Sequence, residues 1–193
     1  MLENLKKYHI ILASNSPRRK MLLEGLDIHF DVKVLPDIDE SYPPGMPLEN
    51  VAEYIACAKA AAYKPLMRDN ELIITADTIV IVGEQVLGKP CDKADAQRML
   101  HLLSNRTHRV VTGVCLMTKD SERRFSAKTD VTFKLLSDSE IDYYLDNYKP
   151  YDKAGSYGVQ EWIGYVGVSG INGSFYNVMG FPVQRVYNEL SKI

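Results

Sequence analysis

The chain has 193 residues, 46% of them hydrophobic and 25% charged, which is enough for one ordinary globular domain without disulfide or metal staples. A formal charge of −2 argues against a nucleic-acid polymer or an anionic membrane surface as partner, while a small anion needs only a few local cations. Three widely spaced cysteines, Cys57, Cys91 and Cys115, form no CxxC pair, and no apolar run approaches membrane-spanning length. Together with a charged start that runs into an apolar segment, 8–13, too short for a signal-peptide core, this reads as a cytoplasmic protein with free thiols.

In chain order, 8–13 is apolar enough for a buried strand, and it stops at Ser14-Asn-Ser16. Pro17 then takes the first position of a helix over 18–24, with Gly25 closing it. Residues 30–34 alternate as a half-exposed strand, and an acidic, proline-rich loop covers 36–47. Leu48, Val51, Ala52, Ile55, Ala58 and Ala62 mark an amphipathic helix of about four turns. A strand over 71–76 ends at Asp77, an extended continuation covers 78–82, and Gly83-Glu84 turns the chain into 85–87. Asp92 caps a helix reaching Leu103. Two β-branched stretches, 109–117 and 125–135, are followed by a helix that Ser137-Asp-Ser-Glu140 opens as a capping box. Asn172-Gly173 between 162–168 and 174–179 reads as a hairpin turn, and Pro182 starts a terminal helix. Helices interleave with strands joined by short turns, so the expected class is α/β, a mixed sheet flanked by helices within one domain over 1–193.

The sharpest local signal is Ser14-Asn-Ser-Pro-Arg-Arg19 between a strand end and a helix start. Unpaired amides and the positive helix end attract anions, Ser14 and Ser16 add hydroxyls, and Arg18 and Arg19 add planar charge. The same segment also reads as a plain cap by Ser16 with two solvated arginines, although cations there oppose the helix dipole. Asp77 at a strand end suits metal binding or proton abstraction, or a simple turn. Glu40, in Asp37-Ile-Asp-Glu40, offers a second carboxylate for one Mg²⁺. Lys59 at the edge of the apolar stripe reads first as a snorkelling side chain. Lys89 is constrained between Gly88 and Pro90, and Lys153 lies in a small-residue loop ending at Gln160. The four histidines are scattered and read as surface or core-edge residues.

As a set, Ser14-Asn-Ser-Pro-Arg-Arg19, Asp37-Ile-Asp-Glu40, Lys59-Ala60, Ala76-Asp-Thr78, Gly88-Lys-Pro90, Asp152-Lys-Ala-Gly155, Tyr157-Gly-Val-Gln160 and Gly180-Phe-Pro182 resemble the Maf family, in its order and over nearly the whole chain. The resemblance implies a fold similar to the inosine triphosphate pyrophosphatases, with an elongated mixed sheet, two lobes and a cleft. It implies hydrolysis of a nucleoside triphosphate between its α- and β-phosphates with Mg²⁺ or Mn²⁺, and commonly a homodimer. By it, Asp77 is the general base and shares the metal with Glu40, while Ser14, Arg18, Lys59 and Lys89 bind phosphate. Ser16 and Lys153 support them, and Arg19, Thr78 and Gln160 mark the subgroup preferring dTTP and UTP. The rival implication is a nucleotide-binding regulator of septum formation. Thr75 stands where the family usually has glycine, which is expected to narrow the space beside Asp77, and Phe181 replaces a usual leucine.

Overall fold

The computed structural model describes residues 2–193. The chain begins with a short 3₁₀ turn and then strand β1 (His9–Leu12), whose last three residues are buried. Helix α1 (Pro17–Glu24) starts where Ser16 caps it, the Arg19 amide donating to the Ser16 hydroxyl oxygen at 3.4 Å. Gly25 stays right-handed and Asp27, at φ 53°, takes the left-handed position after the helix. Of the alternating segment 30–34 only β2 (Asp31–Val32) pairs, because both of its residues are exposed and nothing rewards a longer strand.

Helix α2 (Leu48–Tyr63) follows the loop over 36–47. Its sheet-facing stripe is Ala52, Ala56 and Ala60, all fully buried. One methyl per turn lets the helix backbone come close to the strands beneath it. The limit is reached at Gly113, where a Cβ would lie 2.3 Å from the backbone of Ala52 and Glu53.

Strand β3 (Glu71–Val82) is continuous for 12 residues and turns back into β4 (Gln85–Leu87). Helix α3 (Lys93–Leu103) is capped by Asp92 as its sequence requires. Strands β5 (Thr107–Met117) and β6 (Glu122–Phe133) follow, then α4 (Asp138–Tyr148) with the complete Ser137/Glu140 capping box. The stretch expected to be a hairpin is different. Residues Trp162–Gly167 form helix α5, Val168–Asn172 form strand β7 against β6, and Phe175–Val178 form a single helical turn, α6. Gly173, at φ 133°, leads not into a second strand but to Ser174, whose hydroxyl caps α6 by accepting from the Asn177 amide. Tertiary pairing with β6 outweighed a local turn signal. The chain closes with α7 (Val183–Leu190) after Pro182.

The strands form a seven-stranded sheet in the order β2-β1-β3-β5-β6-β7, with β4 on β3. Pairing is parallel for β1 with β2 and β3, and antiparallel for β3 with β4 and β6 with β7, so the sheet is mixed. Residues fall into two compact units, one comprising Met1–Asp77, Thr112–Ala127 and Gly180–Ile193, the other Thr78–Val111 and Lys128–Met179. The core of the first includes Ile11, Ala56, Ala60, Tyr63, Ile73, Cys115 and Met117. That of the second includes Leu100, Leu103, Phe133, Ile141 and Tyr144, each almost fully buried. Among the described residues, no helix is long and apolar enough to cross a membrane.

Candidate active site

The first unit gathers most of the residues singled out in the sequence. Strand β1 runs parallel to β3, with Leu12 opposite Ile74, and the Ala13 amide donates to the Ile74 carbonyl at 2.8 Å. Past that point β1 bends away toward α1 while β3 continues. Asp77 therefore lies inside β3, not at its end, but beyond the carboxyl end of its parallel neighbour. The Ser14 hydroxyl accepts from the Ser16 amide at 3.2 Å and from Arg19 Nη1 at 3.3 Å, so neither bond spends its own hydrogen.

Lys59 is not a snorkelling lysine. Its Nζ donates to Asp77 Oδ1 at 2.8 Å and lies 3.0 Å from Glu40 Oε1. The Asp77 and Lys59 side chains are largely buried, whereas Glu40 is about half exposed. One ammonium thus joins two carboxylates that are far apart in sequence and come from a strand and a loop. A carboxylate in the middle of a strand is tolerated because a buried cation meets it. Both carboxylates offer hard oxygen donors converging on a cationic centre, which is the donor chemistry Mg²⁺ or Mn²⁺ takes. Glu40 and Asp77 therefore fit a divalent ion that also binds phosphate and keeps waters.

Arg19 behaves differently from a solvated helix-start arginine. Its Nε donates to the Gly180 carbonyl and its Nη1 to the Ala76 carbonyl, both at 2.9 Å. Burial pulls the guanidinium below its usual pKa, with Arg18 adding to the effect, while Asp77 and Glu40 oppose it. The dipole penalty expected from the sequence is thereby offset by carbonyls and carboxylates of the protein itself, and Arg19 clamps the strand next to Asp77. Gly180, at φ 106°, holds the backbone that presents its carbonyl to Arg19, which only glycine does without strain. Arg18 is half-buried in the first turn of α1.

In the second unit, Lys153 is buried, and its Nζ lies 2.8 Å from Asp152 Oδ1 and 3.1 Å from Glu161 Oε1. Tyr144 Oη donates to Glu161 Oε2 and accepts from the Gly158 amide at 2.9 Å. This network ties the loop from Asp152 to Glu161 onto α4. The Gly155 amide donates to the Gly88 carbonyl at 3.0 Å, so the turn bearing the exposed Lys89 is bonded to the same loop. A Cβ at Gly158 would come within 3.0 Å of the Gln160 and Glu161 side chains, so glycine lets both fold back over the loop. Gln160 Oε1 is buried without a hydrogen-bond partner among the described residues. A buried amide oxygen left unpaired costs about 1–3 kcal/mol, which a ligand donor would recover. Thr78 begins this unit and is partly exposed.

The family model described as Maf-like protein matches residues 9–193. The chain belongs to the Maf family. It is similar to the dTTP/UTP pyrophosphatase of Parabacteroides distasonis, with 63% identity over 190 residues and 98% of each chain covered. It is similar also to the protein of that name from Phocaeicola vulgatus, with 62% identity over the full length of both. The likeness to the one from Flavobacterium johnsoniae is 46% over 99% of this chain and 98% of that one. Among solved structures, a HAM1 protein from Coxiella burnetii shares the fold, with a TM-score of 0.50 at 14% identity, covering 96% of this chain and all of that one.

Several roles in this Maf chain's site could not be read from the sequence. Thr75 was expected to narrow the space beside Asp77. In the structure its fully buried hydroxyl donates to the Ala56 carbonyl at 2.7 Å, tying β3 to α2. Thr75 and Asp77 share a strand face, and Ala56 and Lys59 lie one helical turn apart, so this bond sets the register that brings Lys59 to Asp77. Thr75→Val keeps the shape and removes the donor. It is expected to lower unfolding free energy by about 1 kcal/mol and to reduce kcat more than it changes KM. Urea unfolding and steady-state kinetics check it; an unchanged kcat in a destabilised protein leaves the hydroxyl only structural. Glu161 and Tyr144 also escaped notice, since nothing local distinguishes Tyr144 from the other tyrosines on α4.

Proposed function

We propose that the protein is a nucleoside triphosphate pyrophosphatase that hydrolyses the α–β anhydride of dTTP and UTP, with residues 1–193 acting as one catalytic domain. Full-length relatives of that name support the reading. The observation that carries the chemistry is the Lys59 ammonium held between Asp77 and Glu40.

In the proposed reaction, Asp77 takes a proton from water as its oxygen attacks the α-phosphorus. The bond from that phosphorus to the bridging oxygen breaks, and the electron pair leaves with pyrophosphate. Lys59 turns from its carboxylates to the phosphate oxygens, where its charge stabilises the departing group. Arg18, the Ser14 hydroxyl and the first amides of α1 bind phosphate as anion donors. Ser16 supports them by capping α1, and Arg19, which family resemblance marks for base preference, bears on the site by fixing the backbone at Ala76. Glu40 and Asp77 would hold a divalent ion, Mg²⁺ or Mn²⁺, which when bound would supply charge neutralisation and polarisation of the phosphate. From the second unit, Lys89 is assigned to phosphate and Thr78 and Gln160 to the base by family resemblance, with Lys153 supporting the loop of Gln160.

The imide N–H of thymine and uracil is the donor that the unpaired Gln160 Oε1 requires, and neutral cytosine lacks a hydrogen at that ring position. Gln160→Ala is therefore expected to reduce the preference for dTTP over CTP by roughly tenfold, while changing the maximal rate less. An equal fall for all nucleotides removes Gln160 from base recognition. The overall reading is tested by pyrophosphate release from dTTP, UTP, CTP, GTP and 7-methyl-GTP with and without Mg²⁺ or Mn²⁺. Metal-dependent release led by dTTP and UTP supports it. Release led by 7-methyl-GTP overturns the base assignment, and binding without release favours the nucleotide-responsive regulator.

A further inference from the structure

A second cluster of ligand-type side chains lies in the first unit and takes no part in the proposed reaction. Cys57 is half-buried on α2, Cys115 is fully buried on β5 and Glu122 is exposed on the adjacent strand β6. The two sulfurs and a Glu122 carboxylate oxygen all lie within 4.8 Å of one another. We propose that Cys57, Cys115 and Glu122 form a binding site for a thiophilic divalent cation of the Zn²⁺ type, distinct from the carboxylate pair Glu40 and Asp77.

The scaffold is built for this spacing. At Gly113 the α2 backbone at Ala52 and Glu53 sits directly on β5. Two residues further along the strand, a rise of about 6.8 Å, comes Cys115 on the same face. Four residues further along the helix, a rise of about 6 Å, comes Cys57, also on the same face. Helix and strand advance together, so the contact that fixes Gly113 also fixes the two thiols against each other. Two sulfurs at about 2.3 Å from a tetrahedral ion stand about 3.8 Å apart, which falls inside the 4.8 Å that already encloses these ligand atoms.

Donor type sets the class of ion. Two sulfurs with one carboxylate favour Zn²⁺ or Cd²⁺ and disfavour Mg²⁺ and Mn²⁺, which prefer all-oxygen sites. The cluster opens to solvent on the Glu122 side, which leaves a fourth position for water. The charged groups around it are Glu53, Glu122 and Arg124, the last 3.9 Å from Glu53. Arg124 offsets the net negative charge that two thiolates and a carboxylate retain around one dication.

The test uses full-length, reduced, metal-free protein carrying Cys91→Ser, which removes the one thiol outside the cluster. Cd²⁺ is titrated and thiolate-to-cadmium charge-transfer absorption is read, with Zn²⁺ affinity measured against a chromophoric chelator. One equivalent is expected to bind. Cys57→Ser should abolish the band, Glu122→Gln should weaken binding by roughly tenfold, and Asp77→Asn should leave it unchanged. Both Cys57 and Glu122 are accessible enough to be replaced without opening the core, and circular dichroism verifies the fold of each variant. No band at stoichiometric Cd²⁺, a band unaffected by Cys57→Ser, or binding lost with Asp77→Asn each overturns the proposal. None of these readouts depends on pyrophosphatase activity.

Discussion

Asp77→Asn is expected to lower turnover of dTTP by roughly 10²–10⁴-fold, the usual contribution of a positioned general base, while triphosphate binding stays largely intact. Asparagine matches the shape of aspartate, and its amide oxygen can still accept from Lys59 Nζ, which now reaches Asp77 Oδ1 at 2.8 Å. What asparagine lacks is basicity, so the water would have no acceptor for its proton. Single-turnover kinetics together with calorimetric binding of dTTP separate the two quantities. If affinity falls in step with rate, Asp77 serves chiefly to hold the metal, and the base must be sought elsewhere.

The second large effect is on stability and comes from His108, in the second unit. Its ring is 2% exposed, its Nε2 lies 2.6 Å from Tyr157 Oη, and Phe133 and Tyr157 meet it edge-on. Burial pushes its pKa down to about 4, against a weaker upward pull from Asp130. The unfolded chain protonates this histidine near its ordinary value of about 6.5, whereas the folded chain does so only near 4. Between those limits the unfolded state binds the extra proton. The contribution is therefore intact above pH 6.5 and is lost as pH falls toward 4. One pKa unit corresponds to about 1.4 kcal/mol, so the loss from this group is on the order of 3 kcal/mol. Urea unfolding at intervals from pH 7 to pH 4 should show it, and His108→Gln should flatten the slope. An equally steep fall in the variant assigns the acid sensitivity to other groups.

Where a signal was local, the sequence was readable. Ser16, Asp92 and Ser137 cap the helices their neighbours suggest, because a cap is decided within four residues. Where long-range pairing decided, it was not. Asp77 looks like the end of a strand, yet β3 continues through it because Lys59, 18 residues earlier, meets its charge. Residues 162–168 are β-branched and aromatic enough for a strand, but most of them form α5, and β7 begins only at Val168 where β6 offers a partner. The site follows the same division. Motifs marked Ser14, Lys59, Asp77 and Gln160 one by one, but the convergence of Glu40 and Asp77 on one ammonium exists only in three dimensions. Thr75 looked like a departure that narrows a site, and the destination of its hydroxyl, a carbonyl on α2, is a tertiary fact. His108, read as surface or core-edge, is a core residue for the same reason.

Gly113 shows how a protein can store a length by leaving something out. A single methyl there would lie 2.3 Å from the backbone of α2, whereas carbon atoms settle at about 3.5–4.0 Å, so accommodating it would lift the helix by more than about 1 Å. Lys59 rides on that helix with a 2.8 Å contact to make, and Cys57 rides two residues before it. The most conservative of substitutions, made out of sight of either cluster, would act on both at once. Tolerance to change in this protein is therefore not a matter of distance from the chemistry. The least replaceable atom on β5 is a hydrogen.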